Sequence, residues 1–421
     1  MLKAIKIRLY PNKKQQELIE KTFGCTRFIY NQMLAERIKV YDLLKDHKDS
    51  LYNYKYKTER EYKQEFEFLS EVSSRALQQS RGNLDVAYKN FYRRVKQKSK
   101  KVGFPKFKSK KKDKDSFREP QLLFKESKQN PAIEIKNNKI KLVKLEWVKF
   151  KGIKFELTPE EIRNVTVFKS NYGEYYASIL YKKHKKIKIR EKNVVIGIDL
   201  GLKEFAVLSN GDIIKGIKKQ LLEIENQIKK QQRHLSRKIV QNKKQGIVNS
   251  KKQEKCRVKL AKLHEYRANF QNHFQYTLIK YIFSEIQAGT VVLENLNVAG
   301  MIKNRSLSHS IFMSSWSSFT SKLEQKAGEY DSKVVKIDRF FPSSKLCSNC
   351  GQLKQDLTLV DREYICDCGF KMDRDLNASI NIRNKFLKDN SLEYSENKHG
   401  EIVRPRELIY QSQGSFVEVL I

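Results

Sequence analysis

Val194-Val195-Ile196-Gly197-Ile198-Asp199 is an apolar run of one strand's length that stops on a carboxylate. A strand covered on both faces is apolar without alternation, whereas a strand with one wet face alternates. Downstream, Phe205 to Ile214 (FAVLSNGDII) reads as a second strand, with Asn210-Gly211 as a turn at its far end. A basic helical pair follows at 217–241 and 251–284, broken near Gly246. Its stripe is Leu221, Ile224, Ile228, Leu235 and Ile239, then Phe270, Phe274, Leu278 and Ile282. Thr290-Val291-Val292-Leu293 is another buried strand, closed by Glu294. A helix near Trp316–Tyr330, a strand over Lys333–Ile337 and a last helix from Leu376 follow. Strands alternating with helices predict an α/β architecture.

Three carboxylates in this half stand at element ends: Asp199, Glu294, and Asp375 in Asp373-Arg374-Asp375-Leu376-Asn377-Ala378. Taken singly each is an ordinary turn or cap residue, and Asp375 alone would pass as an N-cap. The order strand-Asp, strand-Glu, helix-Asp points further. In a ribonuclease-H-like sheet such residues meet at the mouth of adjacent strands and hold two Mg²⁺ ions ~3.5–4 Å apart for phosphodiester hydrolysis. Hard divalent cations take oxygen ligands, which fits acids.

The cysteines carry a sharper signal. Cys347-x₂-Cys350, a 15-residue gap and Cys366-x-Cys368 supply four thiolates for one tetrahedral Zn²⁺, with Gly351 and Gly369 where each arm must turn tightly. Cys25 and Cys256 lie in helical patterns without partners, and the histidines show no ligand spacing.

The charge names the partner class. Over 421 residues Lys and Arg number 86 against 48 Asp and Glu, a net +38, while 39% of residues are hydrophobic. That apolar content supports packed cores, so the chain is not read as disordered. A charge this large calls for a polyanion, and nucleic acid, which releases counterions as its phosphates are neutralised, is the leading choice. The longest apolar runs are strand-sized, far short of a ~20-residue membrane span. The N-terminus alternates like a strand and lacks a signal peptide's apolar stretch. The expectation is a soluble cytoplasmic protein with no membrane partner.

In the N-terminal half, residues 1–9 alternate until Pro11, and a helical pattern runs from Lys13 to Lys96. Residues 93–114 hold 12 Lys or Arg against one acid, Asp113, with Phe104 and Phe107 interleaved. A solvated linker is one reading; the interleaved aromatics favour an ordered loop that grips a nucleic-acid backbone. Short strands at 132–135, 140–143, 164–167 and 175–180 predict a small barrel or sandwich, which the N-terminal strand completes.

These residues resemble TnpB, the RNA-guided nuclease family of bacterial insertion sequences, ancestral to type V CRISPR effectors. The resemblance runs through Arg8-Leu9-Tyr10-Pro11, Arg27-Phe28-Ile29-Tyr30-Asn31, Ala87-Tyr88-Lys89-Asn90-Phe91 and Gly103-Phe104-Pro105-Lys106-Phe107. It continues through Gly197-Ile198-Asp199-Leu200-Gly201, Leu293-Glu294-Asn295-Leu296, Phe341-Pro342-Ser343-Ser344, Asp373 to Ala378, His399-Gly400 and Val403-Arg404-Pro405. It implies an α/β multidomain protein: a wedge β-barrel at 1–9 and 120–192 carrying a helical recognition domain at 10–119. It further implies a RuvC nuclease domain at 193–345 and 371–384, a zinc ribbon at 346–370 and a C-terminal tail at 385–421, whose polar composition suggests mobility.

By the same resemblance, Asp199, Glu294 and Asp375 form the catalytic triad and hold two Mg²⁺, and Cys347, Cys350, Cys366 and Cys368 hold structural Zn²⁺. The partners implied are a guide RNA derived from the transposon end and double-stranded DNA cut beside a short motif. Tyr52, Gln78, Lys101, Lys106 and Lys108 are candidate nucleic-acid contacts. Nuclease-dead relatives that act as guided repressors typically lose catalytic acids, and this chain keeps all three. It departs from many relatives at Asn272-His273-Phe274-Gln275, where they carry an Asp–His–Lys pattern.

Overall fold

Alternating apolar and basic residues make β1 (Leu2–Tyr10), which buries Ile7 and Leu9 on one face. The computed structural model describes residues 2–99, 101–122, 131–152, 156–182, 194–358, 360–390, 406–411 and 415–419. It divides into two units, Met1–His184 and Lys185–Ile421.

In the first unit β1 pairs antiparallel with β5 (Glu146–Lys151) and β7 (Tyr175–Lys182). Together with β2 (Ser116–Pro120), β3 (Glu134–Lys136), β4 (Lys139–Leu142) and β6 (Ile162–Lys169) they form a seven-stranded antiparallel sheet, ordered β2-β6-β7-β1-β5-β4-β3. The Gln121 side chain, just past β2, donates to the Ile133 carbonyl and accepts from the Ile133 N–H, both at 2.8 Å, which draws the two outer strands together.

Between β1 and β2 lie α1 (Lys13–Leu44), α2 (Lys48–Asn53), α3 (Glu59–Glu65) and α4 (Ser74–Lys96). Pro11 ends the strand and Asn12 starts α1 with a capping box: Gln15 N–H donates to Asn12 Oδ1 (2.9 Å) and Asn12 N–H to Gln15 Oε1 (3.0 Å). Ile29, Met33 and Leu34 of α1 then bury against Leu77 and Leu84 of α4, each such side chain contributing roughly 1.5–3 kcal/mol of burial free energy. The helical segment expected at 10–119 needs a correction, because Ser116–Pro120 is sheet. Its inward residues are Phe117 and Glu119, and a glutamate on the core face hides the alternation.

The second unit is built on a mixed sheet. β8 (Val195–Asp199) pairs antiparallel with β9 (Ala206–Leu208), which pairs antiparallel with β10 (Asp212–Ile214). The stretch expected as one strand is therefore a hairpin, turning at Ser209-Asn210-Gly211 with Gly211 at φ +93°. On its other side β8 runs parallel to β11 (Thr290–Glu294), and β11 parallel to β12 (Lys333–Ile337).

Two helices, α5 (Lys218–Lys244) and α6 (Lys251–Lys280), separate β10 from β11. The shorter α7 (Val298–Met301), α8 (Ser308–Ser314) and α9 (Trp316–Ala327) precede β12. On one face Ile196, Ile198, Val291 and Leu293 pack against these helices, with Phe205 edge-on to Phe274 and Phe319 at 4.9 and 5.3 Å. After β12 comes the hairpin β13 (Glu363–Ile365) and β14 (Lys371–Asp373), then α10 (Arg374–Asp389). Leu376, Ile380 and Ile382 of α10 cover the opposite face over Val207 and Val292. Burial on both faces accounts for the unbroken apolar runs.

The segment expected as a tail needs the second correction. Its first residues, to Asp389, continue α10. β15 (Arg406–Gln411) adds parallel to β10, and β16 (Ser415–Val419) pairs with β15. In β15 Leu408 and Tyr410 face inward while Ile409 is exposed, and Tyr410 packs against Phe270, Phe274 and Phe416. Residues 391–405, with His399-Gly400 and Val403-Arg404-Pro405, lie outside the described residues. No described helix is long and apolar enough to cross a membrane.

Candidate functional site

Asp199 and Glu294 end neighbouring strands. β8 and β11 are parallel with Ile198 opposite Leu293, so the register carries both carboxylates to the same end of the sheet, one residue beyond that pair. Asp375 arrives in the first turn of α10, and Gly197 lets α10 close on β8. A Cβ there would lie 2.1 Å from the Ser379 carbonyl oxygen and 2.7 Å from the Arg383 nitrogen. The N-cap of α10 is Asp373, whose Oδ1 accepts from the N–H groups of Asp375 and Leu376, both at 3.0 Å. Capping thus falls to Asp373 and leaves the Asp375 carboxylate for other partners.

The three acids share one electrostatic environment. Burial, then the charges of Glu294 and Asp375, pushes the Asp199 carboxyl up to about 8, against the opposing pull of Arg374 and the Leu200 N–H. Burial also raises Glu294, opposed by the Ser343 hydroxyl, which donates to Glu294 Oε1. Asp375 is held by Arg374, whose Nη2 and Nε donate to its Oδ1 at 2.9 and 3.1 Å.

Converging carboxylates that repel one another are the donor set a hard divalent cation relieves. They are not drawn into one tight cluster. Among the described residues, the one group of His, Cys, Asp or Glu side chains whose ligand atoms all lie within 4.8 Å of one another is the four cysteines.

The four cysteines fit a tetrahedral ion closely. Cys347 and Cys368 sulfurs are 3.8 Å apart, and Cys350 and Cys366 sulfurs 3.6 Å. Zinc–sulfur bonds of ~2.3 Å in a tetrahedron put sulfurs ~3.8 Å apart. The N–H groups of Asn349 and Cys350 point to the Cys347 sulfur, and that of Phe370 to the Cys368 sulfur. Gly351 and Gly369 turn each arm at φ +77° and +86°. Tyr364 is fully buried beneath the cluster, its hydroxyl donating to the Lys345 carbonyl at 3.1 Å. Cys25 and Cys256 are buried in α1 and α6.

Two residues that sequence reasoning left without a role join the acids to the ribbon. Asn377 Nδ2 donates to the Leu346 carbonyl (2.7 Å) and its Oδ1 accepts from Ser348 N–H (3.0 Å). Asn381 Nδ2 donates to the carbonyls of Ser343 (2.8 Å) and Leu346 (2.7 Å). Both are buried. The signal was present only as two amides four apart, one turn from each other on α10. Asn272 and Gln275 accept from Lys322 Nζ of α9, each at 2.5 Å, and His273 contacts the Tyr410 hydroxyl of β15.

The candidate nucleic-acid residues lie in the first unit. Tyr52 on α2 is 90% exposed, and Gln78 on α4, Lys101 and Lys106 are exposed as well. Lys108 is half-buried, its ammonium 4.1 Å from the centre of the Tyr30 ring and its main chain held both ways by Asn31. Phe104 meets Tyr88 and Phe91 edge-on at 5.7 and 5.2 Å, so the basic segment is anchored on α4. Nearby, a polar cavity of about 230 Å³ is lined by Arg27 of the Arg27–Asn31 motif and the candidate contact Lys108, together with Gln79, Asn83, Asp115 and Arg118.

Three family profiles match the chain: "Helix-turn-helix domain" over residues 1–45, "Probable transposase" over 178–305 and "Cas12f1-like, TNB domain" over 316–382. Residues 13–44, within the first match, form a single continuous helix without a turn. A protein of Streptomyces pristinaespiralis named "Putative RNA-guided DNA endonuclease" is 32% identical over 90% of this chain and 88% of its own length. InsQ of Escherichia coli K12, which carries the same description, is 25% identical over 90% and 91%. Among solved structures, a Cas12f1–sgRNA–target DNA complex has a protein chain that is 15% identical with a TM-score of 0.53, covering 91% of this chain and 99% of that one, a likeness of fold.

Proposed function

This chain belongs to the TnpB family of RNA-guided DNA endonucleases, and from that membership we propose that it cuts double-stranded DNA beside a short motif, programmed by an RNA from its transposon's end. The observation that carries the chemistry is the register of β8 and β11, which brings Asp199 and Glu294 to one sheet end, with Asp375 in their electrostatic reach. Strand order β10-β9-β8-β11-β12, with two antiparallel and two parallel pairings, supports a RuvC-type, ribonuclease-H-like domain. The curled sheet of the first unit supports the wedge-barrel reading, with α1 to α4 as its recognition insertion.

In this reading Asp199, Glu294 and Asp375 hold two Mg²⁺, and Cys347, Cys350, Cys366 and Cys368 hold a structural Zn²⁺. When bound, the magnesium pair supplies an activated water and charge relief at the leaving oxygen. The chain's own part is to fix the acids. β8 and β11 set the spacing of Asp199 and Glu294, Gly197 admits α10, and Ser343 orients Glu294. Arg374 shares Asp375 and moderates the crowding of negative charge. Base pairing with the guide reads most of the target, while the protein reads backbone shape and the short motif. A +38 charge serves that division of labour. The reaction belongs in the bacterial cytosol, where its DNA lies.

Sequencing the RNA that copurifies with the protein gives the programmed target, and cleavage of that target is then measured with Mg²⁺. Wild type should cut, while Asp199→Ala, Glu294→Gln and Asp375→Ala should bind the target without cutting. Guide-dependent binding without any nick by wild type would favour a repressor. Joined donor ends would favour a transposase.

A further inference from the structure

The four-cysteine ribbon and the carboxylates are linked by one continuous polar path. Leu346, immediately before Cys347, has its carbonyl gripped by two buried amides of α10, Asn377 and Asn381, at 2.7 Å each. Just after Cys347, the Ser348 N–H donates to Asn377 Oδ1 at 3.0 Å. Asn381 also holds the Ser343 carbonyl at 2.8 Å, and the Ser343 hydroxyl donates to Glu294. On the ribbon side the same segment is laced to the cluster: Cys347 N–H donates to Gln352 O (2.9 Å), Lys354 N–H to Lys345 O (2.8 Å) and the Tyr364 hydroxyl to Lys345 O (3.1 Å).

A buried amide that donates to two carbonyls on one loop fixes that loop's position, because moving it would strand three buried polar groups. The segment Ser343–Ser348 therefore has two anchors, the ribbon and α10, and it delivers one hydroxyl to Glu294.

We propose that Asn377 and Asn381 are positioning residues which, through Ser343, make the orientation of Glu294 depend on a closed ribbon. The ribbon in this account does more than stabilise the chain: losing its metal loosens Glu294 without any change in the acids themselves. The inference rests on the reading of Asp199, Glu294 and Asp375 as the magnesium-binding acids.

The test compares Ser343→Ala, Ser343→Thr, Asn381→Asp and the double variant Asn381→Asp/Ser343→Ala in the RNA-loaded protein. Three quantities are read: zinc content by elemental analysis, hydrogen exchange of the 343–348 segment, and the Mn²⁺ concentration for half-maximal cleavage. Disturbing a group that orients a metal ligand typically costs 10–100-fold in metal affinity. Asn381→Asp is isosteric but loses both donors. It should keep its zinc, exchange faster over 343–348 and raise the Mn²⁺ half-saturation about tenfold, with most of the rate recovered at saturating Mn²⁺. Ser343→Ala should show the same half-saturation shift, Ser343→Thr should stay near wild type, and the double variant should add nothing further, since both changes act on one path.

An unchanged half-saturation in Ser343→Ala, or additive shifts in the double variant, would overturn the relay. If Asn381→Asp does not fold, Ser343→Ala against Ser343→Thr decides, because neither removes a ribbon contact. Glu294→Gln keeps the two failures apart. If it cuts like wild type, the assignment of the acids falls and the relay with it; if it is inactive while Ser343→Ala behaves as wild type, only the relay falls.

Discussion

Gly197 of β8 and Ser379 of α10 meet backbone to backbone, so that a Cβ on Gly197 would lie 2.1 Å from the Ser379 carbonyl oxygen. This approach seats the helix that carries Asp375 beside the strand that carries Asp199. Gly197→Ala should push α10 away, at an overpacking cost of roughly 1–3 kcal/mol. The expected outcome is a lower melting temperature together with loss of cleavage, measured by thermal unfolding and a programmed DNA assay. A variant that cuts at the wild-type rate would show that the contact does not position Asp375.

The ribbon makes an elemental prediction. Cys347→Ser or Cys366→Ser should lose the bound zinc and make the remaining cysteines of the cluster react faster with a thiol reagent. Zinc content equal to wild type in both variants would refute the four-sulfur site inferred from sulfur separations of 3.6 and 3.8 Å.

Glu119 sets a pH dependence in the first unit. Burial on the core face of β2 pushes its carboxyl up to about 7, against a 3.1 Å hydrogen bond from the Ser73 hydroxyl and the charge of Arg75. A carboxyl raised on folding binds its proton more tightly in the folded chain. Its contribution is therefore fully present below the ordinary glutamate range and is lost as pH rises through about 7. The loss is at most ~3 kcal/mol. Glu119→Gln should flatten stability from the ordinary glutamate value of 4.5 up to about 7, measured by urea unfolding. An unaltered pH slope in the variant would contradict this.

Two lysines of the basic segment should behave differently. Lys106 is exposed, whereas Lys108 lies over the Tyr30 ring with its main chain held by Asn31. Lys106→Ala should reduce the slope of log affinity against log salt for duplex DNA by about 0.9 if it meets a phosphate. Lys108→Ala should leave that slope alone and lower thermal stability. Equal effects on the slope would mean that the cation over Tyr30 is no structural contact.

Much of this was legible in the chain because the decisive signals are local. Val194 to Ile198 and Val291 to Leu293 are apolar throughout since α10 covers one face and α5, α6 and α9 the other. The cysteine spacing is a local signal too. What escaped were features whose meaning depends on distant partners. β2 hides a core-facing glutamate, and β15 shows only Leu408 and Tyr410 to the interior, with apolar Ile409 exposed between them. Asn377 and Asn381 look like ordinary helix residues until the loop before and after Cys347 is folded onto them. Spacing marked Asp375 as a candidate but could not separate its role from that of Asp373, because both lie at one helix start.

In the proposed mechanism Asp199, Glu294 and Asp375 share a pair of divalent cations. The most direct measurement is anomalous scattering from Mn²⁺ in crystals of the protein with its guide and target DNA. Two peaks ~3.5–4 Å apart are expected, each touching at least one of the three carboxylates. A map with one peak or none among these residues, at Mn²⁺ concentrations that support cutting, would contradict it.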